Sequence, residues 1–163
     1  MGGRGYDQAM AVVLGTTTWA HRLLHSASGG RLGRRFPGGA VVVWLSLPGR
    51  RSGVDRTVPL LAVREHDQPG SPWLVAGSNA GQSRVPAWVL NARAVKHGHL
   101  EVDGQTLPVA VSEITDDGER ARGYARLTGV WHWFDGYARR TSDVRQIPVF
   151  RLIPEDTETS TTS

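Results

Sequence analysis

The chain has 163 residues, enough for one compact domain with a hydrophobic core and too few for two ordinary domains and a linker. Hydrophobic residues at 39% and charged residues at 21% put it in the folded, globular range and far from disordered compositions. Cysteine is absent, which excludes disulfides, thiolate metal sites and cysteine nucleophiles, so redox chemistry here needs a borrowed cofactor.

The formal net charge is +4, and Lys96 is the only lysine, so the positive charge is carried almost entirely by arginine. A guanidinium fork suits phosphate and carboxylate partners. Scattered arginines equally describe a solvated surface, so their clustering decides between the two.

From Asp7 to His25 apolar residues recur at near-helical spacing, with Met10, Val13, Leu14, Ala20, Leu23 and Leu24 on one face. Gly15 and the three following threonines weaken this helix. Its apolar face is expected to pack on the rest of the domain; with His21, Arg22 and His25 beside it, peripheral membrane contact is the alternative. The apolar run Ala9 to Leu14 is far shorter than the roughly 20 residues of a membrane span. A secretory signal pattern is not recognisable, so the expected location is cytoplasmic, with membrane association left open. Ser28 to Gly39 is glycine- and arginine-rich and reads as a flexible basic loop.

The run AVVVWLSL at Ala40 to Leu47 is β-branched and aromatic-rich, as a buried strand should be. Arg56 to Glu65 and Trp73 to Ser78 follow as an antiparallel pair across a turn-forming stretch. Pro86 opens a short helix through about Lys96, in the first turn where its missing N–H costs nothing. His99 to Val102 and Thr106 to Ile114 flank Asp103-Gly104, a strong two-residue hairpin signal. Thr115 is the expected N-cap of a helix reaching about Leu127, with Asp116, Asp117 and Glu119 in its first turn. A second helical segment near Trp133 to Arg140 precedes a last strand, Ile147 to Ile153.

Six or so short antiparallel strands with inserted helices predict a mainly β, α+β fold that curls into a barrel. The expected organisation is an N-terminal helix and basic loop over 1–39, a barrel over 40–154 and a disordered tail over 155–163. The sequence contains no GxGxxG fingerprint, Walker loop, HExxH or internal repeat.

Two segments carry chemistry. Gly49-Arg50-Arg51-Ser52-Gly53, followed by Arg56, places three arginines and a hydroxyl on a tight glycine-bounded turn, either an anion cradle or an ordinary solvated hairpin loop. Gly77-Ser78-Asn79-Ala80-Gly81 ends a strand in small residues that let a flat ring approach the backbone. Pro86-Ala87-Trp88-Val89-Leu90-Asn91 then starts a helix whose N–H groups favour anions. Trp88 and Asn91 share one helical face, as part of a ligand wall or as a core residue and a loop brace. His97 and His99 lack a third ligand at metal-site spacing, and no metal is expected. The Trp131-His132-Trp133 cluster has no nucleic-acid motif around it, so no nucleic-acid partner is expected.

In order along the chain stand GRRSGVDRTVPL at Gly49 to Leu60, GSNAG at Gly77 to Gly81, PAWVLN at Pro86 to Asn91, YARRT at Tyr137 to Thr141 and IPV at Ile147 to Val149. Together these five blocks resemble the F420-dependent reductases of the deazaflavin-dependent nitroreductase type. The resemblance covers roughly Ala40 to Ile153. It implies a split β-barrel, akin to flavin-mononucleotide-binding barrels, that holds reduced coenzyme F420 and passes a hydride to a small organic acceptor: a quinone, activated alkene, imine or nitro compound.

By the same resemblance, Arg50, Arg51, Ser52 and Arg56 would hold the phosphate and acidic tail. Pro59, Leu60, Leu61, Ser78, Asn79 and Gly81 would line the deazaflavin, with Pro86, Trp88 and Asn91 completing that wall. Tyr137 would orient the acceptor or donate a proton, its alternative being a core tyrosine. Two departures from the family pattern, Trp131 and Phe134 in place of tyrosines, put nitro-drug activation in doubt. A third, Asn79 in place of a frequent lysine, makes one contact neutral. A non-catalytic F420 or lipid carrier and a relative using flavin mononucleotide (FMN) remain the alternatives, and a homodimer is left open.

Overall fold

The computed structural model describes residues 38–78, 84–130 and 146–155. The elements are strands β1 (Val41–Pro48), β2 (Asp55–Arg64) and β3 (Trp73–Ala76), helix α1 (Ala87–Val95), strands β4 (His97–Val102) and β5 (Gln105–Glu113), helix α2 (Asp117–Val130) and strand β6 (Val149–Pro154). The expected N-terminal helix, the basic loop up to residue 37, the segment Trp133 to Arg140 and the tail beyond residue 155 lie outside the described residues.

The six strands close into one antiparallel barrel in the order β1-β2-β3-β6-β5-β4, with β4 returning to β1. This is the α+β split barrel expected from the sequence. Strict alternation decides which side chains enter it. Along β1, Val41, Val43, Leu45 and Leu47 are buried, and they lie opposite Ala62, Leu60, Val58 and Arg56 of β2. Leu100, Val102, Val109, Val111, Phe150 and Leu152 complete the interior, which Trp88, Val89 and Ala92 of α1 join at one end.

A second cluster lies outside the barrel wall, where Leu127 of α2 covers Val63, Leu74, Ile114 and Val149. Gly123 faces the same strands, so the helix comes close to them. Charge pins this helix in place. Arg151 on β6 donates from Nε and Nη2 to the Glu65 carboxylate at 2.7–3.0 Å and from Nη1 to Glu119 at 3.2 Å. These hydrogen bonds, that to Glu65 foremost, hold the Arg151 guanidinium above the usual arginine range.

Several boundaries differ from expectation for local reasons. Asp116, not Thr115, caps α2, because its Oδ1 accepts from the Glu119 N–H at 2.8 Å. Strand β3 ends two residues early at Ala76, and β6 begins two residues late at Val149. The Glu155 N–H donates to the Pro108 carbonyl at 2.9 Å. The Asp103-Gly104 hairpin forms with φ of 51° and 77°, the left-handed pair its tight turn demands.

Strand β4 starts at His97, two residues before its expected start, because His97 and Gly98 pair with Ala110 and Val109 of β5, and Gly98 lies against β1 where the barrel closes. A Cβ there would lie 2.3 Å from the Ser46 carbonyl oxygen and 2.7 Å from Leu47 Cδ2. The backbone oxygen cannot step aside without breaking the β1–β4 ladder. Gly98→Ala is therefore expected to destabilise the protein by about 2–3 kcal/mol or more, at the upper end of overpacking costs. Urea unfolding checks this, and an unchanged midpoint would mean that the seam has slack.

Candidate functional site

The β1–β2 turn is built by its glycines. The Gly49 N–H donates to the Val54 carbonyl at 2.9 Å, and the Gly53 N–H returns to the Gly49 carbonyl at 2.8 Å. Gly53 takes φ of 68°, and a Cβ on Gly49 would lie 2.9 Å from Ser52 Oγ and 3.1 Å from the Val54 oxygen. Ser52 Oγ also accepts from the Val54 N–H at 3.3 Å. The closed turn presents Arg51, Ser52 and Arg56 to solvent, together with Val54, which is 57% exposed. Because Arg56 pairs with Leu47, it continues the inward-facing row of β2 and stands at the barrel mouth.

Arg50 behaves differently. Its backbone N–H and its Nη1 both donate to Asn91 Oδ1, each at 3.2 Å. Asn91 is 6% exposed and belongs to α1, so the turn is fastened to the helix in the same mouth of the barrel. Helix α1 starts after Pro86, which is its N-cap and so stands one position outside the expected first turn. Trp88, 9% exposed, packs on Phe150 with ring centroids 5.2 Å apart and planes at 59°. At its last turn Arg93 grips Glu113 of β5 through Nε at 2.8 Å and Nη2 at 2.7 Å.

The exit of β3 lies against this helix. A Cβ on Gly77 would meet Val89 Cγ2 at 2.7 Å and Pro148 Cγ at 2.9 Å, and the Gly77 N–H donates to the Pro148 carbonyl at 2.9 Å. Glycine at 77 therefore lets the strand end, α1 and the approach to β6 meet. Ser78, next along, is buried.

The expected site residues thus divide. The turn brings Arg50, Arg51, Ser52 and Arg56 together, with Asn91 beneath them. Along β2, alternation gives Pro59, Leu60 and Leu61 different surroundings. Leu60 packs into the barrel core, Leu61 joins the outer cluster under α2, and Pro59 lies opposite Trp44 on the outer face. For Trp88 and Asn91 the geometry matches the core residue and the loop brace, and Pro86 is buried beside them. Asn79, Gly81, Tyr137, Trp131 and Phe134 lie outside the described residues. The Arg93–Glu113 strap and the Trp88–Phe150 contact were missed from sequence, which carries no local signal for partners 20 and 62 positions apart.

The opposite mouth has a shallow cleft of about 330 Å³ lined by Val41, Arg64, Asp67, Trp73 and Asp103 among others. Arg64 lies 3.8 Å over the Trp73 ring. Burial pulls its guanidinium below the ordinary arginine range, with the Asp103 charge opposing. The cleft is at the far ends of β1 and β2 from the Gly49–Gly53 turn. Its cation is engaged by an indole face and by the Ser71 carbonyl, so it serves as a plug at that end.

Comparison with known proteins agrees with this layout. Two F420H(2)-dependent quinone reductases of Mycobacterium tuberculosis strains are 27% identical over 137 residues, covering 81% of this chain and 86% of theirs. A solved F420-H2 dependent reductase, FDR-A, superposes with a TM-score of 0.58 at 24% identity, covering 68% of this chain and 92% of its own. A second structure, described as a domain-swapped dimer, superposes with a TM-score of 0.61 at 21% identity over 84% of this chain and 98% of its own. At those identities the two structures speak for the fold. The model of the F420H(2)-dependent quinone reductase family matches residues 18–154, all the described barrel and both helices, and the chain belongs to that family.

Proposed function

We propose that the protein binds reduced coenzyme F420 at the barrel mouth beside α1 and catalyses hydride transfer to a small organic acceptor, a quinone being the first candidate. The observation that carries this reading is the preformed Gly49–Gly53 turn, on and beside which Arg50, Arg51, Ser52 and Arg56 are exposed. Three guanidinia and a hydroxyl suit a phosphate and a string of carboxylates, because charge-assisted hydrogen bonds are the strong kind. When bound, the coenzyme supplies the hydride; the chain has to bind, orient and shield it.

In this reading Arg50, Arg51 and Arg56 hold the phosphate and the anionic tail, and Ser52 adds a hydroxyl donor. Ser78, Asn79 and Gly81 follow the β3 exit and keep the backbone open to a flat ring. Tyr137 sets the acceptor, its phenol hydrogen-bonding an oxygen that gains negative charge as the hydride arrives. The indole and phenyl rings at Trp131 and Phe134 favour an apolar acceptor over a nitro compound. Association of the N-terminal segment with a membrane surface and assembly as a homodimer belong to the same proposal. Among the described residues no helix is long and apolar enough to cross a membrane.

Mixing the protein with reduced F420 and menadione, cyclohexenone or a nitroimidazole tests the reading. Acceptor-dependent oxidation, fastest with menadione, is expected. Tight binding with no oxidation by any acceptor would indicate a carrier, and a yellow protein with an oxidised-flavin band would indicate a flavin enzyme.

The division of roles is checked by a pair of variants. Arg51→Ala is expected to weaken F420 binding by roughly tenfold or more, the worth of one charge-assisted contact. Its turnover at saturating cofactor stays within about twofold, because tail contacts serve ground and transition states alike. Tyr137→Phe reverses the pattern, lowering turnover by roughly tenfold or more with little change in cofactor affinity. Steady-state kinetics with a fluorescence titration separates the two, and a collapse of turnover in Arg51→Ala contradicts the assignment.

A further inference from the structure

We infer that Asp55 is a specificity-determining residue of the anion-binding turn: its carboxylate repels an anionic tail from the outer side of the β1–β2 hairpin, so that each further carboxylate on the tail is penalised. Its bearing on the coenzyme rests on the F420 reading; the charge arrangement behind it does not. Asp55 opens β2 opposite Pro48, next to Arg56. It is the one acidic residue between Gly49 and Arg56, a stretch in which Arg50, Arg51 and Arg56 supply three cations. All four charged side chains are on exposed residues.

An aspartate among three arginines has every opportunity to pair with one of them. Among the described residues it does not: Asp55 makes no ion pair, and neither do Arg51 and Arg56. Alternation along β2 accounts for the separation. Ala62 lies in the barrel core, and Arg56 belongs to the same inward row, opposite Leu47. Leu61 lies in the outer cluster, Thr57 meets the Ser46 hydroxyl at 2.7 Å on the outer face, and Asp55 belongs to that outward row. Neighbours in sequence thus stand on opposite faces of the hairpin, a cation at the barrel mouth and a carboxylate outside.

A phosphate followed by a string of carboxylates is then attracted on the mouth side and repelled on the outer side. Exposed charges are screened beyond about 10 Å at 0.1 M salt, so Asp55 acts only on tail groups that stay near the turn. Repulsion of this kind sets selectivity among ligands that all satisfy the arginines. It also fixes the sign of the effect. A carboxylate that merely braced the turn would weaken binding when neutralised, whereas removing a repulsive charge strengthens it.

Affinity is measured by fluorescence titration for wild type, Asp55→Asn and Asp55→Glu, with F420 of short and of long glutamate tail and with the deazaflavin ring lacking phosphate and tail. At low salt Asp55→Asn is expected to bind short-tailed F420 about two- to threefold more tightly, the scale for like charges several ångströms apart in water. The gain is larger for the long tail, absent for the tailless ring and lost at about 1 M salt, where screening is nearly complete. Asp55→Glu keeps the charge and stays near wild type. Unchanged or weaker binding by Asp55→Asn overturns the inference, as does a gain shared by the tailless ring or one that survives high salt. A cofactor-free arm uses tripolyphosphate, followed through the Gly49 and Gly53 amide resonances. Tighter binding by Asp55→Asn is expected there too, and equal affinities overturn the charge arrangement. A wild type that binds tripolyphosphate but not F420 removes the proposed function and leaves this arm to decide the role of Asp55.

Discussion

Everything at the functional end of the molecule depends on how α1 is seated in the barrel mouth. A helix of nine residues is too short to be stable alone, so its position comes from packing. Trp88, Val89 and Ala92 supply that packing by completing the interior of a barrel that six strands enclose but do not plug. Once they are in place, the strand end at Gly77 must lack a side chain, and Asn91 must lie under the β1–β2 turn. The β1–β2 turn is thereby tied to the hydrophobic core through one amide.

The arginine-rich composition looks different in this light. Among the described residues, four arginines make structural contacts away from the turn. Arg151 joins β6 to Glu65 and to Glu119 of α2, Arg126 ties α2 to Asp67, Arg93 straps α1 to Glu113, and Arg64 covers Trp73 at the far mouth. The exposed ones among these pairs contribute little individually, whereas the Arg151–Glu65 fork is bidentate, with the carboxylate 17% exposed. Net charge alone would suggest a generally basic, anion-seeking surface. Among the described residues, Arg50, Arg51 and Arg56 instead stand exposed on and beside the glycine-bounded turn.

Much of the fold was legible because the decisive signals were local. Asp103-Gly104 announced a hairpin through the two positive φ angles that these residues tolerate, and the β-branched run at Ala40 to Leu47 announced a buried strand. Boundaries were less legible. His97 and Gly98 extend β4 by pairing with Ala110 and Val109 of β5, and no window around Gly98 reveals that a Cβ there would meet the Ser46 carbonyl oxygen, fifty-odd positions earlier in the chain. The site divided in the same way. Glycines 49 and 53 and their arginines could be read as a turn with donors. The spacing of Trp88 and Asn91 gave a shared helical face, but could not say whether that face met a ligand or the core.

In the proposed function a preformed basic turn holds the coenzyme by its anionic tail, and the ring contributes less to affinity. Comparing binding of F420 with that of the same deazaflavin ring lacking phosphate and tail, across a range of salt concentrations, tests this most directly. The account predicts that the tailless ring binds at least about a hundredfold more weakly, as losing two charge-assisted contacts implies, and that salt weakens only the full coenzyme. Equal affinities, or a salt dependence shared by both ligands, would contradict it.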